Sequence, residues 1–186
     1  MPCEAATGTV RKARLRAELE APHATFHAVL ASLSDAQLKQ PSKNPAWTNG
    51  QLVFHMAFGF FLAPSLIRIV LVLGRLPRPV SRLFARLLNS VTVPFNWINA
   101  AGPWVVGSRF MRRALGATFD RVHAHILRRL DAISEADLEL GMYYPYRWEP
   151  LFQDSMTLED ILRYPVLHIS SHLQHINHAL ADSGLE

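Results

Sequence analysis

His168-Ile169-Ser170-Ser171-His172-Leu173-Gln174-His175, near the C-terminus, sets three imidazoles four and seven residues apart in a helical context. At about 100° per residue they fall on one helix face within roughly 60°. His168 and His175 stand two turns apart, about 10.5 Å along the axis, whereas a zinc–nitrogen bond is about 2.0–2.1 Å long. A single ion therefore takes His168 with His172, or His172 with His175. Glu is absent from the three residues between His168 and His172, which excludes the H-E-x-x-H metalloprotease helix with its built-in general base.

Working outward, that helix begins near Thr157, where Thr157 and Asp160 form a cap, and runs to about residue 181 with a kink expected at Pro165. Thr48 with Gln51 caps an earlier helix that carries His55 towards Leu73, with a kink expected at Pro64 and a stop at Gly74. Helical spacing of Leu15, Leu19, Phe26, Val29, Leu30 and Leu33 marks a first helix over about 10–33, with a bend expected at Pro22. Leu115, Phe119, Val122, Ile126 and Leu130 mark a third over about 109–133. No run of alternating β-branched residues suggests a sheet, so the expected fold is an all-α four-helix bundle. Ser34-Asp35-Ala36-Gln37-Leu38 after the first helix is echoed by Ser134-Glu135-Ala136-Asp137-Leu138 after the third, as if one helix–loop–helix pair were used twice. Periodicity leaves the order of packing open.

Residues 75–107 are broken by Pro77, Pro79, Pro94, Gly102 and Pro103, with short helix-compatible pieces such as Val80 to Leu88, and read as an insertion or elaborated Pro/Arg-rich connection between the second and third helices. Phe95, Trp97 and Trp104 in it could form a lid, a dimer contact or a membrane-surface patch, with packing onto the bundle as the plainer expectation.

The 186 residues fit one domain, 1–186, large enough to bury a core without disulfide or metal support. A metal here is then functional rather than structural. Cys3 is the single cysteine, so there is no disulfide framework and no cysteine zinc site. With no apolar stretch of a secretory signal near the N-terminus, a reducing cytoplasm is the expected location. Residues 52–74 are apolar enough to resemble a membrane span, but a central Arg68 costs about 2.5–3.5 kcal/mol on insertion scales, and a buried core helix is expected instead. No Asp or Glu occurs between Asp35 and Asp120, and the block holds ten Lys and Arg residues, giving +10 against −6 elsewhere and a net charge of +4. Such polarity suits an anionic small molecule, another subunit or an acidic surface. Nucleic acid is the weakest option, because no helix-turn-helix, RNP or zinc-finger pattern accompanies the charge.

His55 lies seven residues after the Thr48 cap and His168 eleven after the Thr157 cap. If those helices pack side by side, three imidazoles from two helices meet around one ion with a fourth position open, the geometry of a catalytic metal. His23 and His27 form a rival i, i+4 pair on the first helix, whereas His123 and His125 cannot share a face. Pro45-Ala46-Trp47-Thr48-Asn49-Gly50-Gln51-Leu52-Val53-Phe54-His55 and Leu167-His168-Ile169-Ser170-Ser171-His172-Leu173-Gln174-His175-Ile176 resemble the two motif segments of the DinB-like and YfiT-like metal-binding four-helix-bundle superfamily. The metal-binding domain of mycothiol-dependent maleylpyruvate isomerase is related to it. The resemblance implies His55, His168 and His172 as ligands of a divalent ion, zinc or nickel, with His175 standing where many relatives have Gln.

The resemblance further implies an S-transferase-type enzyme that uses a low-molecular-weight thiol such as mycothiol or bacillithiol on a small-molecule substrate. The alternatives are a metal-dependent hydrolase and a non-catalytic metal- or ligand-binding bundle, dimeric or associated with a membrane surface. Glu149, Asp154 and Glu159 are available as acid or base, but nothing in their spacing aims them at the ion.

Overall fold

The computed structural model describes residues 3–94, 97, 101 and 112–181. Along the chain they form α1 (Cys3–Ser32), α2 (Asp35–Lys39), α3 (Asn49–Leu73), α4 (Arg78–Ser90), α5 (Arg112–Ala132), α6 (Glu135–Leu138), β1 (Gly141–Tyr143), β2 (Ser155–Thr157) and α7 (Leu158–Ala181). The long helices start where side chains replace missing backbone partners. Thr48 Oγ1 accepts from the Gln51 N–H at 3.3 Å while Gln51 Oε1 accepts from the Thr48 N–H at 2.9 Å. Thr157 and Asp160 do the same for α7, at 3.2 and 2.8 Å. Gly74 ends α3. Pro22, Pro64 and Pro165 lie inside α1, α3 and α7, each of which continues on both sides.

Among the described residues α3 and α7 make the most extensive contact, and α1 packs on α5 and α7. α5 also packs on α3, whereas α1 and α3 scarcely touch. The cyclic order is therefore α1, α5, α3, α7, and the chain crosses the bundle diagonally between α1 and α3. A diagonal step needs a longer bridge than a hairpin turn does. The two echoed segments lie at the corresponding places: α2 follows α1, and α6 with the β1–β2 pair follows α5. Ser34 and Ser134 cap their short helices with the same reciprocal bonds, to Gln37 and Asp137. The core that closes the bundle includes Leu15, Phe26, Phe60, Phe119, Ile126 and Ile169, each 0% exposed.

The described residues form the expected helical bundle with two additions. A small antiparallel sheet is present, pairing Met142 with Met156 and burying both; at three residues per strand it is too short to show an alternating pattern. In the connection after α3 the helix-compatible piece Val80 to Leu88 is helical and extends to a full helix, α4, whose Ser81 and Ala85 are buried while Val80, Leu83 and Leu87 face outward. Pro77 and Pro79 mark its N-terminus, where a missing N–H costs nothing, rather than breaking it. Trp97 is 75% exposed and does not pack onto the bundle. Phe95, Trp104 and Arg109 lie outside the described residues.

Candidate metal centre

α3 and α7 run antiparallel where they touch, so that His55 meets both His168 and His172. Ring centroids are 4.9 Å apart for His55 and His168, and 4.8 Å for the other two pairs. One nitrogen from each ring lies within 4.8 Å of the others. Nitrogens sharing a tetrahedral ion stand about 3.4 Å apart, so small ring rotations would bring all three to one centre. His168 and His55 are buried, at 1% and 4% exposure, and His172 is partly so.

The close approach is made possible by Gly59, one turn beyond His55. A Cβ on Gly59 would stand 2.9 Å from Nδ1 of His168, 3.0 Å from its Cγ and 3.1 Å from its Cβ. Any side chain there would push the ring or the helices apart.

Electrostatically the site favours neutral rings. Burial holds His55 down at about 3, helped by the charges that His168 and His172 would carry. Burial, then His172, lowers His168 to about 4, with the Met56 carbonyl opposing. Burial, then His175, lowers His172 to about 4. Nδ1 of each ring is buried without a hydrogen-bond partner. Two buried imidazoles and one partly buried one, all unprotonated and with unused ring nitrogens, form a donor set suited to a borderline divalent cation such as zinc or nickel. No carboxylate is among the groups that shift them.

The walls are aromatic. Trp47 lies over His55 at 4.4 Å between centroids, Phe58 stacks on His55 at 6.3 Å, and Tyr164 is 5.6 Å from His168. Tyr164 is four residues before His168 and so shares its face, a signal present in the sequence.

A family model described as the DinB superfamily matches residues 18–176. The chain belongs to the DinB superfamily. Among solved structures, YfiT from Bacillus subtilis is similar with a TM-score of 0.67 and 19% sequence identity, over 94% of this chain and 89% of that one. YfiT is described as a probable metal-dependent hydrolase with an unusual four-helix bundle topology. At that identity the likeness shows a shared fold. No curated protein sequence matches the chain.

In this DinB-superfamily chain the remaining candidates are placed as follows. His175 is exposed beside His172, with centroids 6.0 Å apart, and lies outside the three-ring cluster. His23 and His27 meet Asp120 on the opposite helix pair. His123 is buried, its Nε2 lying 3.0 Å from the Leu19 carbonyl oxygen. Glu159, 8% exposed, is held by Arg11 and Arg163; burial pushes its carboxyl up, but these guanidiniums outweigh that and hold it below the usual range. It is thereby committed to structure.

Asp154 borders a cavity of about 530 Å³ with Arg82, Arg86, Arg147, Tyr143 and Tyr146, none of the three histidines being in its wall. Glu149 is partly buried and its carboxyl is pushed up by burial, against the Leu151 N–H. Its charge is felt by Tyr164, one turn from His168. Much of the basic block is engaged locally: Arg75 pairs with Asp137, Arg112 with Asp35, and Arg82 with the Tyr143 ring and hydroxyl.

Proposed function

We propose that the chain is a metal-dependent enzyme of small-molecule chemistry, with His55, His168 and His172 as the ligands of one divalent ion and a low-molecular-weight thiol as co-substrate. The observation carrying this reading is the convergence of three neutral imidazoles, two buried and one partly so, from two helices, with no carboxylate among the groups that act on them. When bound, such an ion would supply Lewis acidity and would lower the pKa of a thiol or water beside it. The chain's own contribution is binding and exclusion of water. Trp47, Phe58 and Tyr164 surround the rings with aromatic surface, and Gly59 sets the spacing of the helices that carry them.

A second reading, metal-dependent hydrolysis, is favoured by Glu149. Its partly buried carboxyl, raised in pKa and acting on Tyr164, is the type of group that could handle the proton of an attacking water. The description of YfiT points the same way. The two readings separate in one experiment on untagged protein, in which an electrophile such as chlorodinitrobenzene is offered with mycothiol or bacillithiol, and an ester without thiol, each with and without chelator. Chelator-sensitive turnover that needs the thiol supports transfer. Chelator-sensitive ester cleavage, abolished in Glu149→Gln, supports hydrolysis instead.

A further inference from the structure

The bundle brings together a second set of donors, on the helix pair that does not contribute to the first. His23 and His27 lie one turn apart on α1, and Asp120 faces them from α5. Both Nε2 atoms reach the same carboxylate oxygen, Asp120 Oδ1, at 2.8 and 2.7 Å. The two imidazole centroids are 4.8 Å apart, and one donor atom from each of the three residues lies within 4.8 Å of the others.

Three features distinguish this cluster from a chance surface grouping. Its geometry is held from behind, because the His23 ring is 4.8 Å from His123 and stacks on Phe119 at 5.9 Å. His123 itself is tied to the Leu19 carbonyl oxygen, so it supports the cluster instead of joining it. The donor side is open: the side chains of His23, His27 and Asp120 are 39%, 36% and 48% exposed. A cavity of about 380 Å³ lies alongside, lined by His27, Gly116 and Asp120 among others, and leaves room for water at a fourth position.

We infer that His23, His27 and Asp120 form a second divalent-cation site, which ties α1 to α5 and is independent of the three-histidine centre. Two imidazoles and a carboxylate are an ordinary donor set for zinc, nickel or copper. Binding through Nε2 requires that this nitrogen carry no proton in either ring, the N–H then being on Nδ1. The carboxylate gives up two N–H donors and gains a cation. Because the site is half exposed and its apo form is already hydrogen-bonded, it binds more weakly than the buried three-histidine centre.

The test uses the full-length untagged chain and zinc chloride in titration calorimetry, with thermal melts alongside. The wild type is expected to take up two zinc ions, and both His23→Ala/His27→Ala and His55→Ala/His172→Ala one each. In the His55→Ala/His172→Ala background, zinc should raise Tm, and Asp120→Asn, which is close in shape, should weaken zinc binding by about 10- to 100-fold. Zinc uptake unchanged by His23→Ala/His27→Ala, or a His55→Ala/His172→Ala protein that melts normally but takes up no zinc, would overturn the inference. If the three-histidine reading alone is wrong, His55→Ala/His172→Ala leaves uptake unchanged while His23→Ala/His27→Ala abolishes it. The two failures are thus distinct.

Discussion

Replacing Gly59 by alanine tests the site through a residue that is itself no ligand. The added Cβ would stand 2.9 Å from Nδ1 of His168, where ordinary contact begins at 3.4 Å, so the ring or α3 must give by about half an ångström. A buried ring in a close-packed interior has little room to do so, and metal–ligand distances tolerate only about 0.2 Å. Zinc affinity is therefore expected to fall about 10- to 100-fold, the effect of disturbing a residue that positions a ligand.

Stability moves much less. Overpacking costs about 1–3 kcal/mol, offset by about 1 kcal/mol because alanine favours a helix interior over glycine, leaving a net loss of about 0–2 kcal/mol. Competition with a chromophoric chelator measures the first quantity and urea denaturation of the metal-free protein the second. In a His168→Ala background two of the three closest atoms are gone, and the stability penalty should shrink. If Gly59→Ala binds zinc as tightly as the wild type, the close approach does not govern the site and the reasoning is wrong.

Acidification should destabilise the metal-free protein. His55 and His168 titrate at about 3 and about 4 when folded and near 6.5 when unfolded, so below pH 6.5 the unfolded chain binds protons that the folded chain refuses. Each ring then costs about 2 kcal/mol between pH 7 and 5, visible as a falling urea midpoint in the presence of chelator; a flat profile would contradict the burial of neutral rings. Glu159→Ala should cost about 1–3 kcal/mol by leaving Arg11 and Arg163 without their shared carboxylate, while zinc binding by the three-histidine centre stays intact. Thr48→Ala removes one half of the cap of α3 and should cost about 1 kcal/mol in thermal or urea unfolding.

Much of this could be read from the residues themselves. Thr48 with Gln51 and Thr157 with Asp160 announce the helices that bear the site, because a capping box is local in sequence. The i, i+4 spacing of His168 and His172 places both on one face for the same reason. The diagonal order of the helices was not legible, since periodicity marks which face is buried without saying against what. Asp120 was invisible as a partner of His23 and His27, lying on another helix more than ninety residues away. Gly59 did leave a signal: a glycine inside an apolar helix costs about 1 kcal/mol against alanine, and tolerating that cost marks a close approach. Val80 to Leu88 is legible as a helix-compatible piece, but where α4 starts is not, because Pro77 and Pro79 suit a break in a connection as well as a helix's first turn.

The central claim is that α3 and α7 present three neutral nitrogens to one cation. An anomalous-difference map from crystals of the untagged protein grown with zinc tests it most directly. The expected result is a peak within bonding distance, about 2.0–2.1 Å, of one nitrogen each from His55, His168 and His172. Absence of a peak there, or one bound by His172 and His175 without His55, would contradict it.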